Sequence, residues 1–355
     1  MIKIWANSGD SHLVEPDDLF ATSLPPDLAA RMPRSEKDAD GRWETVHVDG
    51  QEFRRRMPRP RGLVDPETGE TVDERAPNAN DPHRRLLDLD GEGIWGELIY
   101  PSIGVWTSSI NDPGLLREGM RAINDWAVGY QQVSPRYVCT ASIPLLRPDD
   151  AVAEIERAAR LGFKAAFFPV APPAGVDDWH TPVWDPVYAA LETNGVLLSF
   201  HIGTEPHDAT TMHGGYYRGP GGALLNYVET TYGGQRAVTK LIAGGVFDRF
   251  PDLRVIVSEG GATWGPFLAD RLDEDTASTH PPSDPCCASS PASTSTPTCT
   301  HPSSTTAARL PRSARWAGGT CCGEATTPTS KAPTATRRRR CTSSSMTSTT
   351  PRVAG

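Results

Sequence analysis

Three short stretches of the chain carry side chains able to do chemistry. Asp10-Ser11-His12 sets a carboxylate and an imidazole two residues apart, a spacing that puts both on one face of an extended strand. His201 follows directly on the run Val196-Leu197-Leu198-Ser199-Phe200, and Glu259 stands in Ser258-Glu259-Gly260-Gly261 behind a further apolar run. A carboxylate and two imidazoles brought to one place suit a divalent cation, Zn2+ ahead of Mn2+, with a position left open for water or substrate. Each residue also has a plainer reading. His12 would cap the following helix, His201 would be a hydrogen-bonded core histidine, and Glu259 would be a structural carboxylate holding loop amides. Their occurrence at the ends of three separate strands favours the shared site, with Asp10, His12 and His201 as its metal ligands.

A carboxylate such as Glu259 serves as general acid or base when burial or a metal brings its pKa toward working pH. His207 and His213 lie in the Gly-rich stretch after His201. His207 is a second candidate for proton transfer and His213 for substrate contact, against the plainer reading of solvated loop histidines. Arg54, in the triplet Arg54-Arg55-Arg56, would bind a substrate carboxylate, against the reading of a solvated charge run.

The elements that must position these residues follow a repeating pattern. Ile2-Lys3-Ile4-Trp5-Ala6 alternates and runs into Gly9-Asp10-Ser11-His12, a strand with polar residues at its C-terminal end. Helices are expected at Pro82–Asp90, Leu115–Val133, from a cap at Asp149 or Asp150 to Leu161, at Pro186–Asn194 and at Gln235–Ala243. Each precedes a short apolar strand: Ile94–Pro101, Tyr137–Ile143, Lys164–Phe168, Val196–His201 and Arg254–Ser258. Helices alternating with buried strands make parallel β/α units, and in barrels of such units reactive groups gather where the strands end. The count reaches about six strands, two short of a closed (β/α)8 TIM barrel. Residues 25–76, rich in Pro, Arg, Asp and Gly, are expected to be an insertion with a small hairpin around Trp43–Phe53.

Composition changes abruptly near residue 275. Up to residue 274 the chain is an acidic body with a net charge of −15, and from residue 275 onward the charge is +6. Ser, Thr, Pro and Ala make up roughly two thirds of the second part, and Leu310 and Val353 are its only Leu, Ile, Val or Phe residues. Too little apolar surface is available there to offset chain entropy, so a disordered tail is expected. Neither part suggests a nucleic-acid partner, since the run Arg337–Arg340 lies in low-complexity sequence. Cys139 is the one cysteine of the body, which fits a reducing compartment. No charged-then-apolar leader opens the chain and no apolar run approaches the ~18 residues of a membrane span. A cytoplasmic protein is expected.

Taken together, these residues resemble the amidohydrolase-related family of metal-dependent barrels, which includes aminocarboxymuconate-semialdehyde decarboxylase and γ-resorcylate decarboxylase. Family members open with a strand ending in His-x-His or, in several aromatic-acid decarboxylases, Glu-x-His. Asp10-Ser11-His12, followed by Pro16, resembles the latter. His201 after the fifth strand and the run Gly244-Gly245-Val246-Phe247-Asp248-Arg249-Phe250-Pro251-Asp252-Leu253 add to the likeness, which covers about residues 1–274. The sixth strand departs from it, because Glu259 stands where the decarboxylases commonly carry a histidine. The resemblance also implies an Asp at the end of a last strand, which the tail does not supply.

A tail of this composition is what a GC-rich gene yields when read out of frame. Across Gly319–Lys331, reading each codon's third base with the next codon's first two permits Asn-Val-Leu-Trp-Gly-Ser-Asp-Tyr-Pro-His-Leu-Glu. That is a buried strand ending in the family's last-strand pattern. Residues 1–274 are thus expected to be the barrel and residues 275–355 a frameshifted tail, leaving the chain as written short of two strands and of full activity.

The resemblance implies a metal-dependent carboxy-lyase acting on a small aromatic or unsaturated carboxylic acid, and a homodimer. A hydrolase of an amide, ester or lactone would use the same residues, and a non-catalytic barrel is the third reading.

Overall fold

The computed structural model describes residues 5–56, 63–64, 71–72, 81–205, 217 and 219–279. Six parallel strands form one sheet in chain order: β1 (Ala6–His12), β2 (Ile94–Tyr100), β3 (Tyr137–Ser142), β4 (Ala165–Pro169), β5 (Leu197–His201) and β6 (Val255–Ser258). Helices α1 (Pro82–Glu92), α2 (Pro113–Gln131), α3 (Pro148–Leu161), α4 (Asp185–Thr193), α5 (Gly222–Thr230) and α6 (Tyr232–Ala243) fall between them, and α7 (Trp264–Thr279) follows β6. This is an incomplete (β/α) barrel, as the alternation of elements predicts. The tail expected from residue 275, including its expected disorder, lies beyond the described residues apart from the end of α7.

Local chemistry fixes the helix ends. Asp81 accepts hydrogen bonds from the backbone N–H groups of His83 and Arg84, and Asp112 from those of Gly114 and Leu115, each just ahead of a Pro at the first helical position. The cap expected at Asp149 or Asp150 is corrected to Arg147. Pro148 takes the first helical position, so both aspartates fall in the first turn, where their charge faces the positive end of the helix dipole. Gly93 and Gly162 close α1 and α3 in left-handed conformations, with φ of 79° and 97°.

The register aligns the strand ends into one mouth. His12 pairs with Tyr100, His201 with Pro169, and His201 again with Ser258. Between the sheet and its helices lies the main apolar core, built around Ile99, Cys139, Ile155, Phe168, Trp179, Trp184, Tyr188 and Leu198.

The insertion is more regular than its composition suggests. Strands Arg34–Lys37, Trp43–Val48 and Gln51–Arg56 form an antiparallel sheet, so the hairpin around Trp43–Phe53 gains a third strand. Asp49 and Gly50, with φ of 47° and 77°, make its two-residue turn. Val46, Val48 and Phe53 of this sheet join Met32, Trp106, Leu116 and Met120 in a second apolar cluster, which seats the sheet on α2 and on the 3-10 helix Ile103–Ser109. A Cβ at Gly119 of α2 would meet the end of the Met32 side chain, which would have to shift. Residues Leu63–Val64 and Thr71–Val72 pair as a separate two-stranded ribbon.

Candidate metal centre

β1 delivers Asp10 and His12 to the mouth, after slipping register against β2 between Ser8 and Ser11. Ser11 faces the other way, and its hydroxyl donates to Glu97 of β2. Glu97 in turn accepts from Nε and Nη2, one edge of the guanidinium of buried Arg85 on α1, whose Nη1 donates to the His12 carbonyl at 2.9 Å. The strand end bearing the candidate ligands is therefore anchored from behind by a buried, bidentate ion pair.

From β5, His201 turns its Nε2 toward β1. That atom lies 3.2 Å from Asp10 Oδ1 and 3.2 Å from His12 Nε2, and His12 Nε2 lies 3.7 Å from the same Oδ1. A cation bound at about 2.0–2.1 Å holds its donors about 3–3.5 Å apart, so the three atoms are spaced to share one. The tautomers agree. His201 Nδ1 is 2.7 Å from the Ile202 carbonyl oxygen, which can only accept, so Nδ1 carries a proton, and in the neutral ring the lone pair lies at Nε2. His12 is likewise hydrogen-bonded to the backbone of Pro101, and its Nε2 faces the cluster. Asp10 Oδ1, His12 Nε2 and His201 Nε2 thus face one another, a donor set that suits a divalent cation.

The titration behaviour follows from that convergence. Burial, seconded by His201, holds His12 down at about 4, against the pull of Asp10, so its ring is neutral at neutral pH. Burial also opposes charge on His201, but the hydrogen bond and charge of Asp10 outweigh it and raise its pKa. Asp10 sits below the ordinary carboxylate range, because both imidazoles and Glu259 overcome its own desolvation. Tyr100 backs the pair, its ring 4.8 Å from that of His201 and 6.1 Å from that of His12.

Glu259 stands at the rim directly after β6. Its Oε2 is 3.8 Å from His201 Nε2, and it hydrogen-bonds Asp10. The residue holds φ at +56°, a left-handed conformation that costs a non-glycine residue about 1 kcal/mol or more. Arg54 is exposed on the insertion's sheet with its guanidinium 4.8 Å over the Trp43 ring. His207 and His213 lie outside the described residues. Among the described residues, Asp10, His12 and His201 are the one cluster of His, Cys, Asp and Glu side chains spaced for a metal ion.

Sequence reasoning passed over Tyr100, Arg85, Glu97 and Glu15. The Glu15 carboxylate accepts from the backbone N–H groups of Ser102, Ile103 and Gly104 at 3.0–3.4 Å, tying the β1 loop to the β2 loop. Tyr100 ends an apolar strand just before a Pro, as His201 ends its own, and that position was the available signal. A buried Arg in a helix leaves none.

The family model described as amidohydrolase matches residues 112–281. That match spans just under half of the chain. The chain's fold is similar to that of an amidohydrolase from Mycobacterium avium subsp. paratuberculosis K-10, at 21% identity over 80% of each chain with a TM-score of 0.61. It is also similar to the IDCase of Metarhizium anisopliae, at 16% identity over 76% of this chain and 69% of that one, with a TM-score of 0.53. A 2,6-dihydroxybenzoate decarboxylase from Rhizobium matches at 20% identity over 77% of this chain and 72% of that one, with a TM-score of 0.47. No described helix is long and apolar enough to cross a membrane.

Proposed function

We propose that the barrel is a metal-dependent carboxy-lyase acting on a small aromatic or unsaturated carboxylic acid. The observation that carries this reading is the convergence of Asp10 Oδ1, His12 Nε2 and His201 Nε2 at 3.2–3.7 Å, with the histidine protons turned outward to backbone carbonyls. Those three atoms would hold the cation, Zn2+ or Mn2+ by the nitrogen and oxygen donors present. When bound, a divalent cation there supplies Lewis-acid polarisation of the substrate's oxygens and stabilises charge as CO2 departs.

The chain's own residues do the rest. Arg85 and Glu97 fix the His12 strand end, and Tyr100 fixes the His201 ring. Glu259 in its acid form gives a proton to the carbon whose bond to the carboxylate breaks, so the electron pair left on carbon becomes a C–H bond. Its place beside His201 and Asp10, partly open to solvent, lets it be reprotonated from water. The Asp-x-His opening, which resembles the Glu-x-His of aromatic-acid decarboxylases, favours the lyase. The amidohydrolase match supports a second reading, hydrolysis of an amide, ester or lactone, with Glu259 taking a proton from the attacking water.

The test is metal analysis of the purified, frame-corrected chain together with CO2 release from an aromatic-acid panel and acid release from a lactone panel. One divalent ion per chain, lost in His201→Asn, with CO2 evolution reduced about 10^2-fold or more in Glu259→Gln at unchanged metal content, is the expected result. Acid release without CO2 selects the hydrolase. A chain with no affinity for Zn2+ or Mn2+ overturns both readings.

A further inference from the structure

We propose that Thr204 is a positioning residue for His201, its buried hydroxyl holding the His201 carbonyl oxygen as Arg85 holds that of His12. The inference rests on the metal-site reading and adds a residue outside the ligand set on which the geometry of that set depends.

Each of the two histidines ends its strand, and each has its carbonyl oxygen taken by a side chain. On β1 the His12 carbonyl accepts from Arg85 Nη1 at 2.9 Å. On β5 the His201 carbonyl accepts from Thr204 Oγ1 at 2.6 Å, and the same hydroxyl accepts from the Val170 N–H at 3.1 Å. Val170 directly follows β4, whose last residue, Pro169, pairs with His201. One buried hydroxyl therefore ties the ends of β4 and β5 together at the level of the ligand. Its single proton is given to His201, so Thr204 has none to offer a substrate and acts through the histidine.

The turn between these two residues aims the ring. Ile202 and Gly203 are its central pair, and Gly203 holds φ at 72°, the left-handed conformation that a type II turn requires at its third position. The Ile202 carbonyl oxygen lies 2.7 Å from His201 Nδ1, so the central peptide of the turn holds the ring with Nε2 toward Asp10 and His12. Thr204 closes the far end of that turn. Without its hydroxyl the central peptide is freer to rotate, and Nε2 swings with it. Packing behind the tie is close, since a Cβ at Gly233, in the first turn of α6, would lie 2.8 Å from Val170 Cγ2.

A strand tie with no bearing on the ligand is the plainer role, and Thr140 is a residue of that kind. It is buried and donates to the Ile99 carbonyl at 3.2 Å, joining β3 to β2, neither of which carries a ligand.

The test titrates Mn2+ into the full chain and into its frame-corrected form, with free ion read by electron paramagnetic resonance and urea unfolding of the metal-free proteins measured alongside. Thr204→Val, which keeps the shape and removes the hydroxyl, is expected to weaken Mn2+ binding about 10-fold or more. Thr204→Ser, which keeps the hydroxyl, is expected to bind as the parent does. Thr140→Val should lose stability to urea and keep the parent's affinity. Gly203→Ala strains the same turn with the hydroxyl in place and should weaken binding about fivefold or more, which carries the test if Thr204→Val does not fold. Parent-like affinity in either folded Thr204→Val or Gly203→Ala overturns the inference and leaves the metal reading standing. So does a Thr204→Ser variant as weak as Thr204→Val, or a Thr140→Val variant that loses affinity equally. Parent proteins that bind no Mn2+, or whose binding survives His201→Asn, overturn the metal reading and the inference with it.

Discussion

The Ser258 hydroxyl donates to the Gly9 carbonyl oxygen at 2.7 Å, joining the last described strand of the sheet to the first. Among the described residues β1 and β6 share no backbone ladder, so this side-chain bond crosses the open seam of the barrel. It also orders a chain of hydroxyls. Ser258 has one proton, given to Gly9, so it must accept from Tyr100, which must in turn accept from Ser199. Replacing Ser258 by Ala breaks the link at the seam and leaves the Tyr100 proton without its acceptor. Ser258→Ala is expected to cost about 1–3 kcal/mol in urea unfolding, with the thermal midpoint falling in step. An unchanged midpoint would mean that the seam is held by other contacts.

Arg85 and Glu97 are both buried and hold each other through two hydrogen bonds beneath the Asp10–His12–His201 cluster. Taking one charge from such a pair strands the other in a low-dielectric interior. Glu97→Gln is therefore expected to destabilise the fold by about 3–5 kcal/mol. Because Arg85 also carries the His12 carbonyl, Mn2+ affinity in the folded variant should fall by about 10-fold to 100-fold. Denaturant unfolding and metal titration read the two effects separately, and a loss of stability without loss of affinity would divorce this pair from the site.

Glu15 gives a pH dependence with a definite sign. Burial pushes its carboxyl up to about 7, against the pull of the backbone N–H groups of Ile103, Gly104 and Ser102. Between the unfolded value of about 4.5 and 7 the folded chain thus binds more protons than the unfolded one. Stability contributed by Glu15 is full below pH 4.5 and declines as pH rises through 7, by at most about 3 kcal/mol. Glu15→Gln should remove that decline, so that the unfolding curves of variant and parent, compared from pH 5 to 8, converge on the acid side and part on the alkaline side. Parallel profiles would refute the shift.

Most of the barrel was legible because two signals coincide in it: apolar runs bounded by breakers, and caps that punctuate helices. Strand ends were placed within a residue or two, so Asp10, His12 and His201 could be assigned to one mouth before any distance was known. What escaped was polar and buried. Tyr100, Ser199 and Ser258 sit in apolar strands, where sequence shows only interruptions of a hydrophobic run, while their value lies in contacts across the barrel. Arg85 in α1 reads like any surface arginine until Glu97 is found beside it. The strand Arg34–Lys37 is wholly exposed and has no apolar period to betray it, whereas the Asp49-Gly50 turn announced its neighbours. Pro148 moved a cap that two aspartates had appeared to claim, because a proline at the first helical position fixes which residue precedes the helix.

The last acid of the family pattern has no counterpart in β1–β6, and the sequence after residue 275 offers a reason that DNA can check. Ala325 and Thr326 are specified by codons of the form GCN and ACN, so the shifted triplet across their junction reads NAC. An aspartate requires that the Ala325 codon end in G. We expect GCG at that codon, and a single-base insertion or deletion near codon 275 that restores the shifted frame from there onward. The frame-corrected protein should then bind one divalent ion per chain more tightly than the chain as written, the added carboxylate joining Asp10, His12 and His201. Any other third base at codon 325 removes the aspartate and with it the case for a frameshift. The three described ligands would then have to hold the ion without it, as Mn2+ titration of the unaltered chain would show.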